Sequence, residues 1–166
     1  MLPDDTAAVG RLLGRPPQGD FAVVVRRVDG RPVVIRNAPF LDDGTPMPTR
    51  YWLVGEQERL LVSRLESTGG VAEAESAVGL NAIADAHRRY SGERDAAIPR
   101  DHAGPRPGGG VGGTRRGVKC LHAHYAWYLA GGDDPVGRWV AARLEASDVV
   151  AAPAAWTRPV GKGPAR

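Results

Sequence analysis

Two β-branched runs joined by an Asp-Gly turn constrain this fold more than any other feature of the sequence. The runs cover residues 21–25 and 33–35, and Asp29 and Gly30 lie between them. An Asp-Gly pair flanked by apolar runs is typical of the tight turn of a β-hairpin. Residues 51–54, Tyr-Trp-Leu-Val, have the composition of a further strand. The sequence therefore predicts a small antiparallel sheet of about three strands.

The apolar period changes after Gly55, where hydrophobic residues recur every three or four positions. This spacing predicts helices rather than further strands, and residues 118–130 are apolar nearly all round, as in a buried helix. Together the patterns predict an α+β fold in which the sheet packs against several helices. The predicted helical segments are a short one ending near Leu13, residues 56–67, 71–78, 80–90 and 118–130, and one that begins at Pro135.

The length of 166 residues fits one ordinary domain. We expect a single α+β domain over residues 1–150, followed by a flexible tail over residues 151–166. Residues 37–49 hold too many proline, glycine and aspartate residues for a regular element, so they form a long structured loop. Residues 99–113 are rich in glycine and proline and poor in apolar side chains, which predicts a mobile loop.

Composition excludes several classes of protein. No apolar run approaches the roughly 20 residues that a membrane-spanning helix needs, and the acidic start is unlike a secretory signal. The single cysteine cannot form an internal disulfide, which favours a cytoplasmic location. The net charge of +3 rests almost wholly on arginine, and no nucleic-acid-binding module is recognisable, so no nucleic-acid partner is expected.

Potential catalytic groups are densest at Cys120, His122 and His124. No phosphate-binding loop, dinucleotide fingerprint, zincin helix or nucleophile elbow accompanies them. If the helix already includes Cys120, the thiol and His124 lie one turn apart on the same face, whereas His122 points to the opposite side. The favoured pair is therefore Cys120 with His124.

Three interpretations of this pair remain open. A nearby imidazole could lower the thiol pKa and make Cys120 a nucleophile. The pair could instead belong to a metal site, but two ligands cannot complete a zinc centre, so His87, His102, Asp42 or Asp43 would have to contribute. The cysteine could also be a buried structural residue. The sequence requires no cofactor and assigns no metal, with Cys120 and His124 the candidate ligands.

Basic residues at the predicted start of this helix suggest an anion site. Arg115, Arg116 and Lys119 lie where free amide groups and the helix dipole also attract negative charge. The alternative is a solvated basic edge.

Other candidate ligand-binding residues lie earlier in the chain. Asp42, Asp43 and Thr45 could offer oxygen atoms to a ligand, although a turn capped by its own aspartate explains the Asp-Asp-Gly-Thr stretch equally simply. Arg64 is a further candidate. The alternative for both Arg64 and Glu66 is a surface charge or a loop anchor.

Four motifs as a set resemble a known family: Gly-Arg-Pro-Pro at 14–17, Asn-Ala-Pro-Phe-Leu-Asp-Asp-Gly-Thr-Pro-Met-Pro-Thr at 37–49, Arg-Leu-Glu at 64–66 and Val-Lys-Cys-Leu-His at 118–122. The chain is similar to the bacterial domain of unknown function 501 family from residue 14 to about residue 140. The resemblance implies no assigned activity, and it implies an association with cell division through neighbouring septum-formation genes. Relatives carry additional cysteines where this chain has residues 26–28 and 54–55.

Two functional hypotheses follow. In the first, the protein is a non-enzymatic binding or regulatory domain, in which the 37–49 loop packs over the 118–130 helix and presents a groove to a protein partner or a small anionic ligand. In the second, it is a small hydrolase or transferase that uses Cys120 with His124 or His122 on a phosphorylated or acyl substrate. The first is favoured.

Overall fold

The sheet is built from the predicted hairpin and one added strand. A computed structural model describes residues 5–146, in which β1 (Phe21–Arg26), β2 (Pro32–Asn37) and β3 (Tyr51–Leu53) form an antiparallel sheet in the order β1-β2-β3. Gly30 adopts φ +86 in the turn between β1 and β2, a left-handed conformation that glycine adopts without strain. The α+β prediction of a three-stranded antiparallel sheet with several helices is confirmed.

Six α-helices accompany the sheet within residues 5–146. The first precedes the hairpin and the other five follow β3, with a short 3-10 turn at Val111–Gly113 between the fourth and fifth. The helices are α1 (Asp5–Leu13), α2 (Glu56–Ser67), α3 (Gly70–Val78), α4 (Leu80–Asp95), α5 (Leu121–Leu129) and α6 (Pro135–Ala146). Within the same residues, no helix combines the length and the apolar character needed to cross a membrane.

The core lies mainly between one face of the sheet and the helices that follow it. Buried side chains of β2 and β3 meet α5, which is buried on nearly every side, as its sequence predicts. A smaller cluster on the other face joins Val9 of α1 to Ile35 and Val54. The helix α5 therefore runs through the interior, and residues of its first turn line a surface cleft.

The segment predicted to be mobile, residues 99–113, makes specific contacts near both of its ends. His102 stacks on Phe40 with ring centroids 4.1 Å apart. The buried guanidinium of Arg94 donates to the carbonyl oxygen of Gly109 at 2.7 Å. Mobility of this segment stays a prediction, and these contacts would limit it to the residues between them. The predicted flexible tail, residues 151–166, lies outside the described residues.

Candidate functional site

The site is set by where α5 begins. Cys120 is not helical: it has φ −154 and ψ 147, and the helix starts at Leu121. The side chain of this residue before the helix lies beside His122, with the sulfur within 4.8 Å of a ring nitrogen. The predicted pairing of Cys120 with His124 on one helix face is wrong, because it required a helix that includes Cys120.

Two carboxylates explain the late start of α5. The amide of Val118 donates to Glu75 Oε1 at 2.7 Å, and the amide of Leu121 donates to Glu66 Oε1 at 2.5 Å. Both amides are thereby satisfied from α2 and α3 without a preceding helical turn. Glu66, near the C-terminal end of α2, is the residue that joins this helix to the start of α5.

Cys120, His122 and Glu66 form one cluster. A sulfur, a ring nitrogen and a carboxylate oxygen from these residues all lie within 4.8 Å of one another. Glu66 Oε1 is 3.2 Å from His122 Nδ1, and the side chains of His122 and Glu66 are 26% and 25% exposed. The cluster is thus partly shielded from water while it remains reachable.

The second ring nitrogen of His122 is also held. Nε2 lies 3.2 Å from the carbonyl oxygen of Arg59 and 3.1 Å from Ser63 Oγ. A carbonyl oxygen only accepts hydrogen bonds, so this contact requires a proton on Nε2. The contact with the Arg59 carbonyl therefore fixes the orientation of the ring and a proton on Nε2.

The same contacts set the charge of His122. Burial by itself opposes the charged form of the ring. The hydrogen bond to Cys120 and the negative charge of Glu66 outweigh burial, with a smaller contribution from the Arg59 carbonyl, so the pKa of His122 is raised above 6.5. The ring is therefore favoured as a cation.

Cys120 and His122 open onto a cleft of about 550 Å³. This volume is in the range of small-molecule sites. The cleft is bounded by the end of α1, by β3, by α2 and by the start of α5, and it combines basic with apolar side chains. The basic ones are Arg59, Lys119 and His122, and the apolar ones include Leu13, Trp52, Leu53 and Ala123.

The long loop contributes less to this cleft than expected. Of residues 37–49, Thr49 is the only member that lines the cleft in the described part of the chain. The loop instead folds onto the connector after α1: the Ala38 amide donates to the Asp20 carbonyl at 2.8 Å, and the Asp42 amide to the Gln18 carbonyl at 2.9 Å. Backbone hydrogen bonds hold the loop away from the start of α5.

His124, the third predicted catalytic residue, lies in a different environment. It is fully buried, and its Nδ1 is 2.7 Å from Asp134 Oδ2. Asp134 Oδ1 also accepts the amides of Val136 and Gly137 at the start of α6. His124 therefore ties α5 to α6 and does not line the cleft.

The predicted anion site at Arg115, Arg116 and Lys119 is divided by the structure. Arg115 and Arg116 are exposed and do not line the cleft, whereas Lys119 does. The first amide of α5 is already bound by the Glu66 carboxylate. An external anion at this helix end would have to displace an internal one.

The earlier candidates also lie apart from the cleft. Asp42, Asp43 and Thr45 are exposed, and the Thr45 amide donates to Asp43 Oδ1 at 2.9 Å, which lowers the pKa of Asp43. This contact is the self-capped turn that the sequence offered as an alternative. Arg64 is exposed on α2 and does not line the cleft.

Sequence reasoning missed Glu66, Arg59 and Ser63 as members of the site. Glu66 stands in the Arg-Leu-Glu motif, where the sequence suggests a surface charge or a loop anchor. Ser63 and Arg59 face His122 about one and two turns before the end of α2, and no local pattern marks them. The helical spacing of 59, 63 and 66 is the one signal that could have grouped them.

The fold and the site define an α+β domain with a thiol, an imidazole and a carboxylate beside a basic cleft. Residues 23–142 match the family model described as "Protein of unknown function (DUF501)". The chain belongs to this family, as the four sequence motifs predict. No curated protein and no solved structure matches the chain.

Proposed function

We propose that the protein is a non-enzymatic binding domain that takes a small organic anion in the cleft beside α5. The observation that carries this proposal is the charge of the cleft wall. Arg59, Lys119 and His122 line it, and none of the described lining residues is acidic. Basic side chains around a partly shielded cleft, with no acidic side chain among them, favour binding of an anion over binding of a neutral ligand.

The apolar part of the wall gives the ligand its second property. Trp52 and Leu53 lie on β3 and Ala123 on α5, so the basic groups are adjacent to an apolar surface. An aromatic ring such as that of Trp52 provides a large contact area for a flat apolar group. The expected ligand is therefore a carboxylate or a phosphate ester that carries an apolar or aromatic substituent.

The hydrogen bonds of His122 support an anionic ligand. Both ring nitrogens lie beside atoms that accept hydrogen bonds, Glu66 Oε1 and the Arg59 carbonyl oxygen. Such contacts favour the protonated form of the ring. A protonated imidazole is a suitable contact for an anionic ligand.

Phenyl phosphate and benzoate are suitable probes, with benzyl alcohol as the neutral comparison. Isothermal titration in the presence of a chelator should detect the two anions and show no binding of the alcohol. Arg59→Gln and Lys119→Gln should each weaken binding about five- to tenfold, the factor that about 1 to 1.4 kcal/mol represents. Arg64→Gln removes an exposed charge from the same helix outside the cleft and should leave the affinity unchanged.

Equal loss of affinity in Arg59→Gln and Arg64→Gln would mean that general surface charge attracts the probes. Failure of both anions to bind at millimolar concentration would reject the anion proposal.

A further inference from the structure

Glu66, Cys120 and His122 have a property that anion binding does not use. Their donor atoms are of three kinds, a thiol sulfur, a ring nitrogen and a carboxylate oxygen, and they lie within 4.8 Å of one another. In a tetrahedral zinc site with bonds of about 2.0–2.3 Å, the donor atoms are about 3.3–3.8 Å apart. Side-chain movements of about 1 Å or less would bring the three donors to those distances.

We propose that Glu66, Cys120 and His122 bind one zinc ion at the wall of the cleft. One thiolate and one carboxylate would balance the charge of a divalent ion. Thiolate and imidazole ligands favour zinc over magnesium or calcium, which prefer oxygen. This site differs from the Cys120 and His124 pair that the sequence suggested, because His124 is engaged by Asp134 on another side of α5.

Contacts beyond the three donors favour the same assignment. Metal-bound histidines commonly donate their other ring N–H to a carbonyl oxygen. Here His122 Nε2 lies 3.2 Å from the Arg59 carbonyl, which leaves Nδ1 on the side of Glu66 to face the metal. The Leu121 amide fixes Glu66 Oε1 in turn. Two of the three proposed ligands are therefore held in place by backbone groups.

The position of the cluster defines its class. Cys120 and His122 line the cleft, so a fourth coordination position would be reached from the cleft. Structural zinc sites have four protein ligands, whereas sites with three keep a position for water or a ligand. Binding would release the thiol proton of Cys120, and any proton on His122 Nδ1, to the solvent.

The single cysteine makes cobalt a specific probe. Protein purified without a histidine tag, stripped of metal by a chelator and titrated with Co²⁺, should bind one ion. A thiolate-to-cobalt charge-transfer band should appear, and it can arise only from Cys120. Cys120→Ser should abolish this band.

Matched variants test the other two ligands. Glu66→Gln and His122→Gln each remove a ligand and should weaken zinc binding by more than about tenfold. Mutation of residues that only support the ligands already costs about tenfold or more. His102→Gln removes a histidine outside the cluster and should bind zinc as the wild type does. Circular dichroism of each variant establishes that it is folded.

The proposal is overturned if no charge-transfer band forms at one equivalent of cobalt, or if Glu66→Gln and His122→Gln bind as tightly as the wild type. X-ray absorption of the wild-type zinc complex provides a test that needs no variant. One sulfur neighbour with nitrogen and oxygen neighbours supports the site, and a shell of oxygen atoms alone rejects it. These measurements use no organic anion, so their outcome is independent of the anion proposal.

Discussion

His122 and His124 lie two residues apart in α5, yet their rings have opposite surroundings. His122 is a quarter exposed at a cleft, where Glu66, Cys120 and the Arg59 carbonyl raise its pKa. His124 is fully buried against Asp134. The difference shows that residue type and spacing do not separate a ligand-binding imidazole from a structural one. The elements packed against each side of the helix determine the role of each ring.

A third histidine extends the buried region. The ring of His87 lies 5.8 Å from that of His124, between centroids. Its Nε2 donates to the Gly117 carbonyl at 2.9 Å, and its Nδ1 accepts the Val111 amide at 3.1 Å. Burial lowers the pKa of His87, the opposite of the shift at His122. Burial therefore favours the neutral ring of His87, whose hydrogen bonds hold the loop before α5 to α4.

The largest predicted effect is at the buried pair. Asp134→Ala removes the partner of His124 and the acceptor for two amides at the start of α6. We expect the free energy of unfolding to fall by about 3 to 5 kcal/mol, because three buried donors lose their acceptor at a cost of about 1 to 3 kcal/mol each. Urea denaturation followed by circular dichroism measures it.

Asp133→Ala is the matched control, because Asp133 is exposed and pairs only at the surface with Arg89 and Arg138. Its cost should be below about 1 kcal/mol. Equal stability of Asp134→Ala and Asp133→Ala would mean that the buried contacts of Asp134 do not stabilise the fold.

A smaller effect is expected at the open cluster. Glu66→Ala leaves the Leu121 amide without its acceptor at the first turn of α5. The free energy of unfolding should fall by about 1 to 2 kcal/mol, as for loss of a helix cap. Glu73→Ala, which removes an exposed ion pair with Arg143, should cost about 0.5 kcal/mol or less. A Glu66 variant as unstable as Asp134→Ala would contradict the division into an open and a buried region.

The smallest effect is a pH dependence from His87. Its pKa is lowered in the folded state, so the unfolded chain binds more protons as the pH falls below 6.5. The contribution of His87 to stability is fully present above this pH and is lost as the pH falls through the lower folded pKa. The side chain of glutamine can replace both hydrogen bonds without titrating. The wild type should therefore lose stability relative to His87→Gln as the pH falls from 8 to 5. Urea denaturation of both proteins over this range measures the difference. A difference that stays constant would contradict the assignment.

Local patterns predict most of the fold. The β-branched runs and the Asp-Gly turn define β1 and β2, and the helical spacing after Gly55 defines α2 to α4, because these preferences depend on neighbouring residues. The start of α5 is different. It depends on Glu75 and Glu66, which are 43 and 55 residues distant from the amides that they accept. Pattern reasoning extended the helix back to residue 118 and so paired Cys120 with the wrong histidine.

The candidate site was therefore predicted in composition but not in geometry. Cys120, His122 and Lys119, which belong to the Lys-Cys-Leu-His motif, line the cleft. Arg59 and Glu66 join them only through the packing of α2 against α5, a long-range contact that no periodicity encodes.

The rate at which iodoacetamide modifies Cys120 in the metal-free protein tests the central claim, that this thiol belongs to an open site. If the thiol is reached through the cleft, the native protein reacts at a rate that does not change with urea below the unfolding transition. A rate that follows the fraction of unfolded protein would mean that Cys120 is sealed in the core, and would contradict the account.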